Sequence, residues 1–400
     1  MQPIFKNIKG DRLLWAVVAV LGIFSFLPVY SAASNLAYTG VGRGTFSIFF
    51  GHFMHLVLGF LIVFVVHKIP YRYFRAFSIL LLPVVLVLLV ITLMQGSATA
   101  GTNTSRWIQI PVVGVSFQTS TFAFVVLMVY VAHYMARIKD KIITFKESIL
   151  PLWMPVFLVL ALILPANFST AAIMFSMVLV LVFLGGYPFR YIAVIIGSGL
   201  LALTLFVLTA KAFPDAMPNR VDTWMSRIAS FTDDAITEED YQIEKAKIAI
   251  ASGGLHGVGP GKSIQKNFLP QSTSDFIFAI IIEEYGLFGG LVLMFFYLTF
   301  LVRVAVIAQK SDTIFGKLVV LGVGLPIVFQ ALINMAVAVQ LFPVTGQTLP
   351  LISSGGTSIW MTCLAIGIIL SVSAKREELV KKEAQDEQED NPLDILSEAV

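Results

Sequence analysis

Apolar residues run in long uninterrupted blocks along nearly the whole chain, separated by short polar breaks. A helix needs about 20 such residues to cross a hydrocarbon core. In lipid it also satisfies its own backbone polar groups, which an open strand cannot do. The blocks predict ten helical spans, near residues 13–32, 45–66, 75–95, 119–136, 149–165, 170–186, 189–211, 276–302, 316–340 and 357–374. No stretch carries the strand-length alternation of an outer-membrane barrel. The predicted fold class is therefore all-α, a polytopic membrane helix bundle. The first block follows Lys6, Lys9 and Arg12 and ends near Ser31, Ala32 and Ala33, like a signal peptide. Its apolar core is longer than a signal's, so it reads as a retained anchor.

The polar breaks also give an orientation. Basic residues gather in every second short connection: the amino terminus, Lys68 to Arg75, Arg137 to Lys146, Arg190, Arg303 to Lys317, and Lys375 to Lys382. Lys and Arg accumulate on the cytoplasmic side, so both termini are expected in the cytoplasm. The organisation read from this is a cytoplasmic segment 1–12, a transmembrane domain 13–374 and a disordered acidic tail 375–400. One connection is long, roughly residues 213–274, and the same phase places it outside. It holds an expected helix near Tyr241 to Ala251, with Ile243, Ala246 and Ile250 on one stripe, and then the run GGLHGVGPG.

Composition sharpens the exclusions. With 57% hydrophobic and 13% charged residues and a mean hydropathy of +0.86, water is not the main solvent. A single cysteine, Cys363, rules out an intrachain disulfide and a cysteine metal site, and a net charge of +3 does not suggest nucleic acid.

Candidate chemistry concentrates around the long outer connection. GVGPGKS at 257–263 approximates a phosphate-binding loop, but the motif requires glycine where His256 stands, so the run reads as a flexible turn. Asp275 follows Ser272, Thr273 and Ser274 and opens the eighth block at the outer boundary. It reads both as a helix amino-terminal cap and as a general base at the mouth of a lipid-facing cavity. Glu283 and Glu284 follow inside the block, where carboxylates are costly and hence functional candidates. On a continuous helix Glu283 lies about 12 Å from Asp275 and about 80° around, with Glu284 on the opposite face. Glu283 then suits an ion-pair or network role and Glu284 a packing contact with a polar partner. Arg106, Arg220, Arg227, Lys262 and Lys266 are outer cations able to cradle a diphosphate, or else solvated loop charges. His52 and His55 lack further ligands and read as packing, as do Gln330 and Asn334 on one face of the ninth span.

The segment GVGPGKSIQKNFLPQSTSDFIFAIIIEEYGLFGG at 257–290 resembles the signature of the SEDS family (shape, elongation, division and sporulation), the FtsW and RodA group. FPVTGQTLPLISSGGTSIW at 342–360 and SRWIQIPVVGVSFQTS at 105–120 carry the same resemblance, which leans toward the division-type branch. It implies a peptidoglycan glycosyltransferase of the cytoplasmic (inner) membrane that polymerises lipid II beside a single-span class B penicillin-binding transpeptidase. It also implies Asp275 as the essential carboxylate, with Arg106, Gln265, Lys266 and Glu283 as lesser substrate-binding positions. Three places depart from the family's pattern: QTST at 118–121, where QPSE is usual; PANFST at 165–170, where a QPDxGT-like run is usual; and SSGG at 353–356, where SYGG is usual. The acids usual in the first two are absent, which removes those positions from the catalytic candidates. The expected reaction has Asp275 take the proton of an attacking sugar hydroxyl with inversion, while Arg106, Lys262, Lys266 or a divalent cation (Mg or Mn) steadies the departing lipid diphosphate. Two rival readings are a flippase for lipid-linked precursors, using Glu283 and Glu284, and a non-enzymatic division scaffold.

Overall fold

A computed structural model describes residues 8–36, 45–98, 107–109, 116–139, 141, 144–212, 238–269 and 271–389. In chain order the helices are α1 (Arg12–Leu36), α2 (Thr45–Val66), α3 (Phe74–Ala98), α4 (Thr119–Ile138), α5 (Phe145–Ile163), α6 (Phe168–Leu184), α7 (Phe189–Ala212), α8 (Glu238–Gly253), α9 (Ile277–Lys310), α10 (Ile314–Ala338) and α11 (Thr357–Glu389). Two short strands, β1 (Ile108–Gln109) and β2 (Ser116–Phe117), pair antiparallel ahead of α4. Among the described residues eight helices are long and apolar enough to cross a membrane, and α6 with the first half of α7 adds two shorter apolar helices. The chain is a multi-pass membrane protein.

Local chemistry sets the helix starts. The Asp11 carboxylate accepts the Leu14 N–H at 2.8 Å, Asn167 that of Thr170 at 3.2 Å and Thr313 that of Gly316 at 3.0 Å, each satisfying an orphan donor of a first turn. Small residues let helices approach closely: a Cβ on Gly59 would lie 2.8 Å from Cys363 Sγ, and one on Gly367 2.7 Å from Val66 Cβ, both between α2 and α11. At one end of the bundle Asp11 pairs with Arg303, Asp312 with Arg376, and Lys9 with Glu378 at 2.7 Å. These pairs gather the amino-terminal segment, the α9–α10 turn and the end of α11 at the basic end.

Two expectations change. The last helix continues to Glu389, beyond the boundary at 374 where a disordered tail is expected, and its early tail is held by Glu378. The eighth span is not one continuous helix from 276. Gly286, at φ 72° and ψ −176°, breaks α9 into a half-helix Ile277–Tyr285 and a long segment Leu287–Lys310. The long segment rises roughly 36 Å, enough to cross a bilayer alone. The half-helix has no lipid face, since Phe276 to Glu284 are all buried.

Candidate functional site

The half-helix hangs between two sets of anchors at the end of the bundle opposite the Asp11–Arg303 pair. At its amino-terminal side the Ser274 carbonyl accepts the Ser353 hydroxyl at 2.6 Å, the Thr273 carbonyl accepts the Ser354 N–H at 2.9 Å, and the Asp275 carbonyl accepts Asn334 Nδ2 at 2.8 Å. Asn334 also donates to the Gln347 carbonyl at 2.7 Å, and Gln347 Nε2 reaches Thr170 Oγ1 at 2.9 Å. Gln330, one turn before Asn334, donates to the Thr348 carbonyl at 2.9 Å. The segment carrying Asp275 is thus stitched to α10, to the α10–α11 connection and, through Gln347, to α6. Gln118 N–H donates to Thr357 Oγ1 at 3.1 Å, which brings the β2–α4 turn to the same layer. Asp275 itself is half-buried, with its carbonyl held by Asn334.

At the other side, Glu283 and Glu284 organise the loop after α8. The Glu283 carboxylate accepts the Ser263 hydroxyl and the N–H groups of Ile264 at 2.9 Å and Gln265 at 3.2 Å. Glu284 accepts the Ser31 hydroxyl from α1 and the Ser263 N–H at 3.4 Å. Both carboxylates therefore reach Ser263, and Glu284 also ties the half-helix to Ser31 of α1. Lys266 Nζ donates to Ser31 Oγ at 3.2 Å and to the Gly261 carbonyl at 2.8 Å, so it joins this cluster. Glu283 is 2% exposed, and its oxygens accept from Ser263, Ile264 and Gln265 of the loop that also carries Lys266. Lys262 is exposed on the glycine turn. Replacing Glu283 with Gln removes one acceptor and should loosen this loop by about 1–3 kcal/mol. Hydrogen exchange at the Ile264 and Gln265 amides is the measurement, with exchange accelerated by roughly tenfold or more as the expected result.

The Gly-rich run is a turn that docks on the half-helix through its backbone. Val258 and Gly259 N–H donate to the Glu283 and Glu284 carbonyls at 2.9 and 3.0 Å, capping the half-helix. Leu287 and Phe288 N–H donate to the Gly254 and Leu255 carbonyls at 2.9 and 3.3 Å, which satisfies the start of the long segment. The backbones meet with no room between them: a Cβ on Gly257 would sit 2.2 Å from the Glu284 carbonyl oxygen. Helix α8 lies along the half-helix, with Ala246 and Ala249 fully buried beside Phe276, Ala279 and Ile280.

Asp275 lies just before the half-helix and the Glu283 cluster near its far end, so the two mark opposite ends of it. Arg106, Arg220 and Arg227 lie outside the described residues. No group of three His, Cys, Asp or Glu side chains converges among the described residues, so no protein-built cage offers itself to a divalent cation. His52 shares a 2.8 Å hydrogen bond with Ser25, and His55 packs on the Trp360 ring, so neither opens a metal site. Thr170, Gln347 and Ser353 are missed by the sequence reading. Their signal is weak, because single uncharged polar residues, scattered along the chain, carry no spacing that joins them. Asn334 is visible there only as one of a polar pair.

The chain matches the cell cycle protein family of FtsW, RodA and SpoVE over residues 11–378. A relative from Trichlorobacter lovleyi, "Probable peptidoglycan glycosyltransferase FtsW", is 30% identical over 379 residues, covering 92% of this chain and 94% of its own. One of the same name from Hydrogenovibrio crunogenus is 32% identical over 335 residues, covering 82% and 83%. A solved chain from a peptidoglycan synthase complex that coordinates polymerization and crosslinking is similar in fold, with a TM-score of 0.70 at 24% identity over 92% of this chain and 98% of that one. The rod shape determining protein RodA of Thermus thermophilus gives a TM-score of 0.64 at 24% identity over 92% and 97%.

Proposed function

Since the chain belongs to the FtsW, RodA and SpoVE family of cell cycle proteins, we propose that it is a peptidoglycan glycosyltransferase that polymerises lipid II at the outer face of the cytoplasmic membrane. The observation that carries the reading is the half-buried Asp275, fixed through its backbone by Asn334 at the end of the bundle away from the basic loops. A carboxylate held there can take the proton of a sugar hydroxyl as it attacks the anomeric carbon of a second lipid-linked glycan. The backbone anchors remove its freedom to wander, which is what a positioned base requires. Lys262 and Lys266, about a half-helix away, supply positive charge on the side where a diphosphate leaving group would depart. Glu283 and Glu284 position that loop.

The names of the relatives support the activity, and the likeness to a chain of a complex that coordinates polymerization and crosslinking supports a crosslinking partner, which the family resemblance implies to be a single-span class B transpeptidase. Purified full-length protein with such a partner and lipid II should yield a ladder of glycan polymers. Translocation of head groups across vesicles without any polymer would instead favour a transporter. Asn334→Ala tests the anchoring, because it leaves the part-buried carbonyls of Asp275 and Gln347 without this donor. The expected outcome is a fall of about tenfold in polymerisation kcat with KM little changed, whereas an equal rate would detach Asn334 from the site.

A further inference from the structure

A second site lies at the basic end. A cavity of about 710 Å³ opens there between the amino-terminal segment, the α2–α3 turn and α11, within the size range of small-ligand sites. Five cations line it, Lys9, Lys68, Arg72, Arg75 and Lys375, against one carboxylate, Glu378. That carboxylate is shared by Lys9 at 2.7 Å and Lys375 at 3.5 Å. The ion pairs among the described residues do not include Lys68, Arg72 or Arg75. Aromatic rings steady these three instead: Lys68 Nζ is 3.9 Å from the Phe64 ring centre, the Arg72 guanidinium 5.3 Å from Tyr73, and that of Arg75 4.7 Å from Phe315. A ring face holds a cation in place but brings no net negative charge.

The wall is also built rather than loose. The Ser371 hydroxyl donates to the Ile69 carbonyl, which ties the α2–α3 turn to α11, and Tyr71 OH meets Thr313 Oγ1 at 2.9 Å, which ties it to α10. Arg75 Nε is buried and has no hydrogen-bond partner among the described residues. Topology alone asks only that Lys and Arg stay on this side. It does not ask that cations from three separate segments line one cavity with one carboxylate between them, or that a guanidinium donor be buried without an acceptor.

We propose that this cavity binds a phosphate-bearing anion at the inner face of the membrane, with Arg72 and Arg75 as its principal donors. Guanidinium forks suit phosphate oxygens, and basic pockets between helices on this side are suited to acidic lipid headgroups. The same chemistry is offered by an acidic phospholipid and by a soluble phosphate. The site is at the opposite end of the bundle from Asp275, so its failure leaves the polymerase reading untouched.

The test is native mass spectrometry of the purified full chain after exposure to phosphatidylglycerol, with phosphatidylcholine as the neutral baseline and inorganic phosphate as competitor. Wild type should retain phosphatidylglycerol above that baseline, and the double variant Arg72→Gln/Arg75→Gln should retain at least about fivefold less. Displacement by excess inorganic phosphate would identify a soluble anion as the occupant, and no displacement would identify the lipid headgroup; either supports the site. The double variant Arg72→Lys/Arg75→Lys keeps both charges and should hold most of the wild-type level. Lys146→Gln removes a basic residue of the same end outside the cavity and should change nothing. Retention unaffected by the glutamine pair, equal losses in the glutamine and lysine pairs, or a loss matched by Lys146→Gln would overturn the proposal.

Discussion

Alanine at Gly286 is expected to undock the outer loop and to abolish function in the cell. At φ 72° and ψ −176° this residue occupies a backbone region essentially closed to side chains, a cost of about 1–3 kcal/mol for any other residue. The added Cβ would also stand 2.2 Å from the Leu255 carbonyl oxygen, a backbone atom that cannot rotate away. The four hydrogen bonds bridging 254–259 to 283–288 depend on that approach. They cap the half-helix and start the segment that crosses the membrane. Proteolysis of the loop between Gly253 and Ser263, together with the thermal midpoint of the purified protein, measures the effect. Rapid cleavage and a clearly lowered midpoint are expected. Ala at Gly261, which also has positive φ but nothing within 4 Å of its Cβ, should be much milder.

Much of this architecture is legible in the sequence because lipid imposes a simple grammar. Uninterrupted apolar blocks mark the helices, and the alternation of basic breaks assigns the two ends. The break at Gly286 is hidden for the same reason. EEYGLFGG lies inside an unbroken apolar block, and a glycine within such a block is compatible with a continuous helix. Its partner in the contact, the run from Gly253 to Gly259, signals only conformational freedom until the facing backbone is known. Hence Glu283 and Glu284 read as intramembrane carboxylates, whereas their oxygens hold Ser263, Ile264, Gln265 and Ser31.

The site shows the same division. Asp275 stands out because a carboxylate opening an apolar block is rare and has a chemical use. The groups that fix its backbone come from Thr170, Asn334, Gln347 and Ser353, too far apart in sequence for spacing to join them. Two of these, Thr170 and Ser353, are positions of PANFST and SSGG that keep the residue usual in the family. They contribute hydroxyls to the layer under Asp275. A motif that departs at its other positions can therefore still form part of the site.

Asn at position 275 keeps the size of the side chain and removes its capacity to accept a proton. The backbone carbonyl held by Asn334 is unaffected, so the fold should persist. A general base contributes about 10²–10⁴-fold to such a reaction, so polymerisation should fall by at least two orders of magnitude. The direct measurement is glycan polymer length and rate from purified wild type and Asp275→Asn, side by side, each supplied with lipid II and the transpeptidase partner. Polymer from wild type and none above background from a folded Asp275→Asn is the predicted result. Polymer of equal length and rate from both would contradict the assignment of the reaction to this carboxylate.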